Sequence, residues 1–219
     1  MNFKSCGHQY ATDESGCICQ LDAKPFRYDP AYSHIYDGPQ YTEGSMKLQA
    51  LRFGFLSAAN RGPVKSILDI GYGNGAFVKF VMDHRGIPVY GYDITGVRIK
   101  GLHIVESPAE VRVDVVTMWD VIEHIFDLSL LGRLKASTLV ISTPYCQFPR
   151  YVSDRKWFDS YHHRKPNEHI RHFDEVSLRT TVEAYGWRMQ AWSTHEDIVR
   201  KSPHGLANIL TMAFQYQWT

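Results

Sequence analysis

The 219-residue sequence predicts an α/β protein built on a doubly wound, mostly parallel sheet of seven strands. Three observations carry that reading. Short apolar runs recur at strand length without polar alternation, as strands buried on both faces require. Segments of helical spacing or turn residues separate them. The first of these runs, ILDI at 67–70, passes directly into glycines at 71, 73 and 75, a bare turn between a strand and a helix.

The elements follow in chain order. Residues 1–26 are polar, hold three of the four cysteines, and show neither helical nor strand periodicity; they are expected to form a small Cys-rich N-terminal arm closed by Pro25. Tyr28, Tyr32 and Tyr36 fall four apart and share one helical face, with Pro30 restricting the start and Asp37–Gly38 the end. Residues 43–60 predict a second helix, with Met46, Leu48, Leu51, Phe53, Phe55 and Leu56 as its apolar stripe. Residues 61–219 then alternate strands and crossovers: KSILDI, a helix in GAFVKFVMDHRG, PVYGYDI, HIVES, VDVVTMWD, a helix near 121–135, and STLVISTP. Late in the chain, Leu178, Val182 and Tyr185 mark a helix with Gly186 as its cap, and ANILTMAFQYQW marks a strand.

Composition bounds the function. The chain is 44% hydrophobic and 21% charged with a net charge of +1, so nothing global draws it to nucleic acid or anionic lipid. No stretch approaches the roughly 18 uncharged apolar residues of a membrane span, and the N-terminus lacks a secretory signal, so the expected location is the cytoplasm.

A strand followed by glycines at 71, 73 and 75 brings bare backbone and helix N-terminal amides up to a ligand. Gly71, Gly73 and Ala76 also satisfy the dinucleotide fingerprint, with Asp93 about 20 residues on. The turn alone therefore leaves NAD and other nucleosides open. The segments ILDIGYGNGAF, VYGYDITG, VDVVTMWDVIEHIFD and PNEHIRHFDEVSLRTTVEAYGW together resemble the class I S-adenosylmethionine-dependent methyltransferases. The likeness is to the broad group that includes sugar C-methyltransferases and ubiquinone-type O-methyltransferases, over about residues 28–215. It implies a Rossmann-like methyltransferase domain at 61–219, a helical lid at 27–60 carrying Tyr28, Tyr32, Tyr36 and Tyr41, and S-adenosylmethionine as cofactor. By resemblance, Asp69 meets the methionine amino group, Gly71, Gly73 and Gly75 accommodate the cofactor, Asp93 holds the ribose hydroxyls, and Tyr72 and Ile94 join the cofactor site. Carboxylates facing a cationic amine and a vicinal diol make charge-assisted hydrogen bonds that a pyrophosphate would not offer Asp69. Trp119 and Asp120 face the cofactor from the fourth strand, and Glu106 or Ser107 falls where relatives contact adenine. Between Asp93 and His103 there is too little chain for a full crossover helix.

Methyl transfer from a sulfonium needs an aligned nucleophile and, where that nucleophile is protonated, one base. The segment YHHRKPNEHIRHF at 161–173 gathers His162, His163, His169 and His172 with basic residues. Glu168 and His169 match the Glu-His pair that supplies the proton-abstracting histidine in sugar C-methyltransferases; a structural latch is the bland reading of the same pair. His124 is a second candidate, against a role in the turn. The H-E-x-x-H pattern is absent, so metal is not expected in this loop. Cys6, His8, Cys17 and Cys19 are enough in number for tetrahedral zinc, although their one-residue spacing is atypical; free thiols are the alternative. The expected acceptor is a small polar molecule such as a nucleotide or nucleotide sugar. Methylation of a nucleobase in DNA or RNA, and an inactive cofactor-binding interaction module, are the rival functions.

Overall fold

The computed structural model describes residues 1–28, 43–202 and 205–217. Tyr32, Tyr36 and Tyr41 of the expected lid lie outside them. The chain forms β1 (Asn2–Ser5), β2 (His8–Thr12), β3 (Ile18–Gln20), α1 (Glu43–Ala59), β4 (Ile67–Ile70), α2 (Ala76–Arg85), β5 (Val89–Tyr92) and β6 (His103–Ile104). After these come β7 (Arg112–Trp119), β8 (Lys135–Pro144), α3 (Arg155–Ser160), β9 (Arg171–His172), α4 (Glu175–Glu183), β10 (Trp187–Ser193) and β11 (Ile209–Tyr216).

The seven-stranded sheet has the order β10-β11-β8-β7-β4-β5-β6. Strands β6, β5, β4, β7 and β8 are mutually parallel, and β11 and β10 add antiparallel at one edge. The chain starts in the middle at β4, winds outward to β6, and returns beside β4 as β7. The order reverses there, which opens a crevice at the carboxyl ends of β4 and β7. Both faces of the sheet are covered, as the unbroken apolar runs require. Val116, Met118, Leu139 and Ile141 pack with Leu178, Val182 and Trp187 on one side. Ile67, Val115 and Val140 pack with Leu56, Phe77 and Val81 on the other. Each such side chain, fully buried, contributes about 1.5–3 kcal/mol.

Helix α2 forms because Phe77, Val78, Phe80 and Val81 fall on one face, and it ends at Gly86 with φ 61°. Helix α4 opens on a capping box between Asp174 and Ser177, and Gly186 follows it at φ 88°, the left-handed turn expected of it. Helix α1 departs from its predicted stripe. Met46 is 45% exposed, and the deepest positions are Gln49, Arg52 and Leu56, at helical spacing. Two polar side chains thus occupy the inner face, which is why an apolar pattern misplaced it.

Three expectations are corrected. The N-terminal segment is not an irregular arm: β1, β2 and β3 form an antiparallel sheet completed by β9, with Ile18 opposite His172 and Cys19 opposite Arg171. Its buried positions include Ser5 and Gln20 as well as Tyr10 and Ile18, so polar and apolar residues share the inner face and no alternation shows in the sequence. The helix near 121–135 is replaced by two 3-10 turns, Ile122–His124 and Leu128–Arg133. The carbonyls an α-helix would use are taken: Glu123 O accepts from Ile170 N at 3.0 Å, and Ile125 and Phe126 accept from the Arg171 guanidinium at 3.1 and 3.0 Å. The strand β10 was absent from the sequence reading, since its alternate residues are solvent-facing and follow directly on Gly186. The short link after Asp93 carries no helix, as its length predicts.

Candidate active site

The crevice at the switch point is a single cavity of about 840 Å³. The turn between β4 and α2, the end of β5, the end of β7, helix α1, and the histidine segment before β9 all line it. Asp69 ends β4, 1% exposed, and its Oδ1 accepts from Thr117 Oγ1 at 2.6 Å. Burial pushes its carboxyl up to about 7, against the pull of Thr117 and Arg52.

The three glycines of the turn differ in what requires them, although all have positive φ. A Cβ on Gly71 would sit 2.4 Å from Val121 Cγ2, and one on Gly75 would sit 2.7 Å from Ile99 Cδ1. A Cβ on Gly73 would meet nothing within 4 Å. Neighbouring side chains press on Gly71 and Gly75, whereas Gly73 has open space before it; Gly71 and Gly73 line the cavity and Gly75 does not. The Gly73 amide donates to Asp93 Oδ2 at 2.8 Å, while Asp93 Oδ1 accepts from the Thr95 amide and hydroxyl at 2.7 and 2.5 Å. The acid at the end of β5 is thus fixed against the glycine turn, and it lines the cavity. Tyr72 is buried, bonds through its hydroxyl to the Val97 carbonyl, and packs over Gly91. Ile94 lines the same end and is 64% exposed. Glu106 is exposed, and neither it nor Ser107 lines the cavity, which corrects the adenine assignment.

Trp119 walls the cavity floor, and its Nε1 has no partner among the described residues. The Arg52 guanidinium lies 4.7 Å from its ring centroid. Arg52 was missed in the sequence, and so was the network it joins. Its Nε and Nη2 donate to Glu196 at 3.1 and 3.0 Å, and Nη2 also reaches Asp120 at 3.2 Å. Arg200 donates to both oxygens of Asp120 at 2.8 and 3.0 Å and to Glu196 at 3.0 Å. Two acids and two arginines balance, which is the condition for burying them. Burial raises the Asp120 carboxyl, but Arg200 and Arg52 outweigh it and hold the group below the usual range. Asp120 was expected at the cofactor; it lines the cavity, in a left-handed conformation with φ 57°, but both its oxygens are held by arginines. The signal in the sequence was a pair of polar residues, Gln49 and Arg52, three apart on the face that also carries Leu56.

At the other end stand Glu123, His124, His163, Lys165 and His169. His169 Nδ1 is 2.8 Å from the His163 carbonyl, and His124 Nδ1 is 2.7 Å from the Glu168 carbonyl and 2.8 Å from Tyr28 Oη. A carbonyl only accepts, so each Nδ1 carries the proton and each Nε2 keeps its lone pair. The Glu168 carboxylate does not stand behind the His169 imidazole as an orienting acid would. It bonds Lys165 Nζ at 3.1 Å and lies 3.6 Å from His169 Nε2. The orienting acceptor is a backbone carbonyl instead. Burial, with the neighbouring histidines, pushes the His169 imidazole down to about 2 and holds it neutral.

The four expected zinc ligands are not brought together. Cys6 Sγ faces the Asp159 carbonyl at 3.9 Å, and His8 Nδ1 meets Gln20 Nε2 and the Asp22 carboxylate at 3.3 and 3.5 Å. Cys17 and Cys19 lie 3.9 Å apart with Asp13, and Arg171 Nη1 is 3.4 Å from the Cys19 sulfur. The arm is held by packing and by a side-chain clasp: Asn167 N donates to Gln20 Oε1 at 2.8 Å, and Gln20 Nε2 to Asn167 Oδ1 at 3.4 Å.

A family model described as a methyltransferase domain matches residues 46–191, two thirds of the chain. The chain belongs to this methyltransferase family. Its matched span runs from α1 through β10, so it takes in the glycine turn, both strand-end acids and the histidine segment. The fold is shared with solved methyltransferases of low identity. A S-adenosylmethionine-dependent methyltransferase from Aquifex aeolicus superposes with a TM-score of 0.58 at 13% identity, over 87% of this chain and 100% of that one. The 1,6-didemethyltoxoflavin-N1-methyltransferase of Burkholderia thailandensis gives 0.56 at 15% identity, over 99% and 98%. The magnesium protoporphyrin IX methyltransferase of Synechocystis gives 0.53 at 16%, over 80% and 84%; both of the last two hold S-adenosylhomocysteine. No curated protein sequence matches the chain significantly. The methyltransferase is thus a S-adenosylmethionine-dependent enzyme of class I on a seven-stranded Rossmann-like sheet. Among the described residues no helix is long and apolar enough to cross a membrane.

Proposed function

We propose that this methyltransferase holds S-adenosylmethionine between Asp69, Gly73 and Asp93 and methylates a small polar acceptor admitted at the histidine end of the same cavity. The observation that carries the reading is continuity. Asp69, Asp93 and Trp119 at one end, and Glu123, His124 and His169 at the other, line one space of about 840 Å³. That volume lies within the range of small-molecule sites and exceeds what one nucleoside needs.

In this reading the Asp69 oxygen not bonded to Thr117 meets the methionine ammonium, and Asp93 takes the ribose diol. Trp119 Nε1 and Arg52 Nη1, neither with a partner among the described residues, face the methionine carboxylate. The acceptor's nucleophilic atom lies before the Nε2 lone pairs of His124 and His169, which orient its proton. Lys165 and His162 stand at that rim and suit an acceptor with an anionic group such as a nucleotide. That a fold relative binds a small heterocycle beside S-adenosylhomocysteine agrees with such an acceptor space.

Calorimetry with S-adenosylmethionine and with NAD tests the cofactor half: saturable binding of the first and none of the second is expected. Transfer of a labelled methyl group to a panel of nucleotides and sugar nucleotides tests the acceptor half. Cofactor binding with no transfer to any acceptor would leave an interaction module and refute the proposal.

A further inference from the structure

Glu123 is 1% exposed, and its two carboxylate oxygens have different fates. Oε2 accepts from Thr143 Oγ1 at 3.0 Å; Oε1 is buried with no hydrogen-bond partner among the described residues. A carboxylate oxygen without a partner in a protein interior is costly and calls for a ligand. His124 Nε2 lies 4.0 Å from Oε1, and one donor atom each from Glu123, His124 and His169 all fall within 4.8 Å of one another. The rings of His124 and His169 meet edge to face with centroids 4.7 Å apart.

Both imidazoles have the tautomer a metal ligand needs. Each gives its Nδ1 proton to a backbone carbonyl, which is the usual support behind a ligating histidine and leaves Nε2 as an electron-pair donor. We infer that Glu123, His124 and His169 form a binding site for one divalent transition-metal ion at the acceptor end of the cavity. A two-histidine, one-carboxylate set with open positions suits ions such as Co²⁺, Mn²⁺ or Fe²⁺. Ligand bonds of about 2.1 Å place tetrahedral donors about 3.4 Å apart, so no pair of the three needs to close by more than about 1.4 Å. The remaining charges allow it: Asp120 and Arg200 are paired, and Lys165 is paired with Glu168. The site escaped the sequence because Glu123–His124 and His169 come from separate segments, joined by the Ile170 amide on the Glu123 carbonyl.

This inference rests on the histidine end being the acceptor site. There the ion, once bound, would take up the Nε2 lone pairs that otherwise face the acceptor's proton, coordinate the acceptor hydroxyl and acidify it, with the proton released to water. The oxygen lone pair then forms the O–CH3 bond as the S–CH3 bond breaks and its pair returns to sulfur. The products are the methyl ether, S-adenosylhomocysteine and one proton.

The test is a titration of metal-stripped protein with Co²⁺ alone, read by visible absorption, beside calorimetry of S-adenosylmethionine on the same samples. The wild type is expected to take up one equivalent saturably. Glu123→Gln and His169→Asn are expected to weaken uptake at least about tenfold while still binding the cofactor, which shows them folded. Cys17→Ser/Cys19→Ser is expected to leave uptake unchanged. No saturable uptake by a wild type that binds cofactor would overturn the metal site alone, as would uptake lost in the cysteine variant and kept in Glu123→Gln. A wild type that fails to bind cofactor would overturn the reading beneath it.

Discussion

Replacing Asp69 by Asn should make the cofactor-free protein more stable in alkali and the cofactor weaker. Asp69 is buried, and its carboxyl stands at about 7 in the folded chain against about 3.9 in an unfolded one. Below pH 4 the group is protonated in both states and has no effect. Between pH 4 and 7 the folded chain keeps a proton that the unfolded chain has lost, so stability falls as pH rises; above 7 the whole cost is present. From these two values the cost is roughly 1–2 kcal/mol at pH 5 and roughly 4 kcal/mol at pH 8. Asn carries no charge and can still accept from Thr117 Oγ1. The stability difference between Asp69→Asn and wild type should therefore shift in the variant's favour by roughly 2–3 kcal/mol from pH 5 to pH 8, measured by denaturant unfolding at both. The variant loses a charge-assisted bond to the cofactor ammonium, about 1.5–3 kcal/mol, so calorimetry at pH 8 should show Kd for S-adenosylmethionine rising roughly 10- to 150-fold. A stability difference that does not change with pH, or an unaltered Kd, refutes the reasoning.

Other substitutions follow from the same geometry. Gly71→Ala combines a φ of 72° with a Cβ 2.4 Å from Val121 Cγ2, and should cost at least about 2 kcal/mol, recovered in part by Val121→Ala; equal loss in single and double variants would show that crowding is not the cause. Gly73→Ala meets open space and should cost only about 1–2 kcal/mol of stability while weakening cofactor binding more than tenfold, a divergence that thermal unfolding and calorimetry together reveal. Arg52→Met leaves two acids facing one arginine and should cost about 3 kcal/mol, with Glu196→Gln in the same chain restoring part of it. Gln20→Ala breaks the clasp on Asn167 and should lower stability by about 1–2 kcal/mol; no change in unfolding would mean that the N-terminal sheet does not hold the histidine segment.

The central sheet was legible because its strands are buried on both faces, and residues such as Val115, Val116 and Met118 leave no other reading. The glycine turn and the acids Asp69 and Asp93 were legible because a sharp backbone and a strand-end carboxylate leave residue types in place. What escaped depended on polar residues inside. The N-terminal strands bury Ser5 and Gln20, bonded to Asp159 and Asn167 from far along the chain, and so lack any hydrophobic period. Arg52 sits on the inner face of α1 only because Glu196 and Asp120, over 60 residues away, supply its counter-charges. The 3-10 turns at 122–133 exist because β9 and Arg171 claim carbonyls that the local sequence alone would have given to a helix. Long-range hydrogen bonds of this kind leave no local signature.

The most direct measurement is a structure of the methyltransferase with S-adenosylhomocysteine, read at two carboxylates. The account predicts the homocysteine amine within hydrogen-bond distance of Asp69 and the ribose diol on Asp93, with Gly73 backbone against the nucleoside. Nucleoside density away from the β4 and β5 strand ends, with both acids left to protein partners alone, would contradict it.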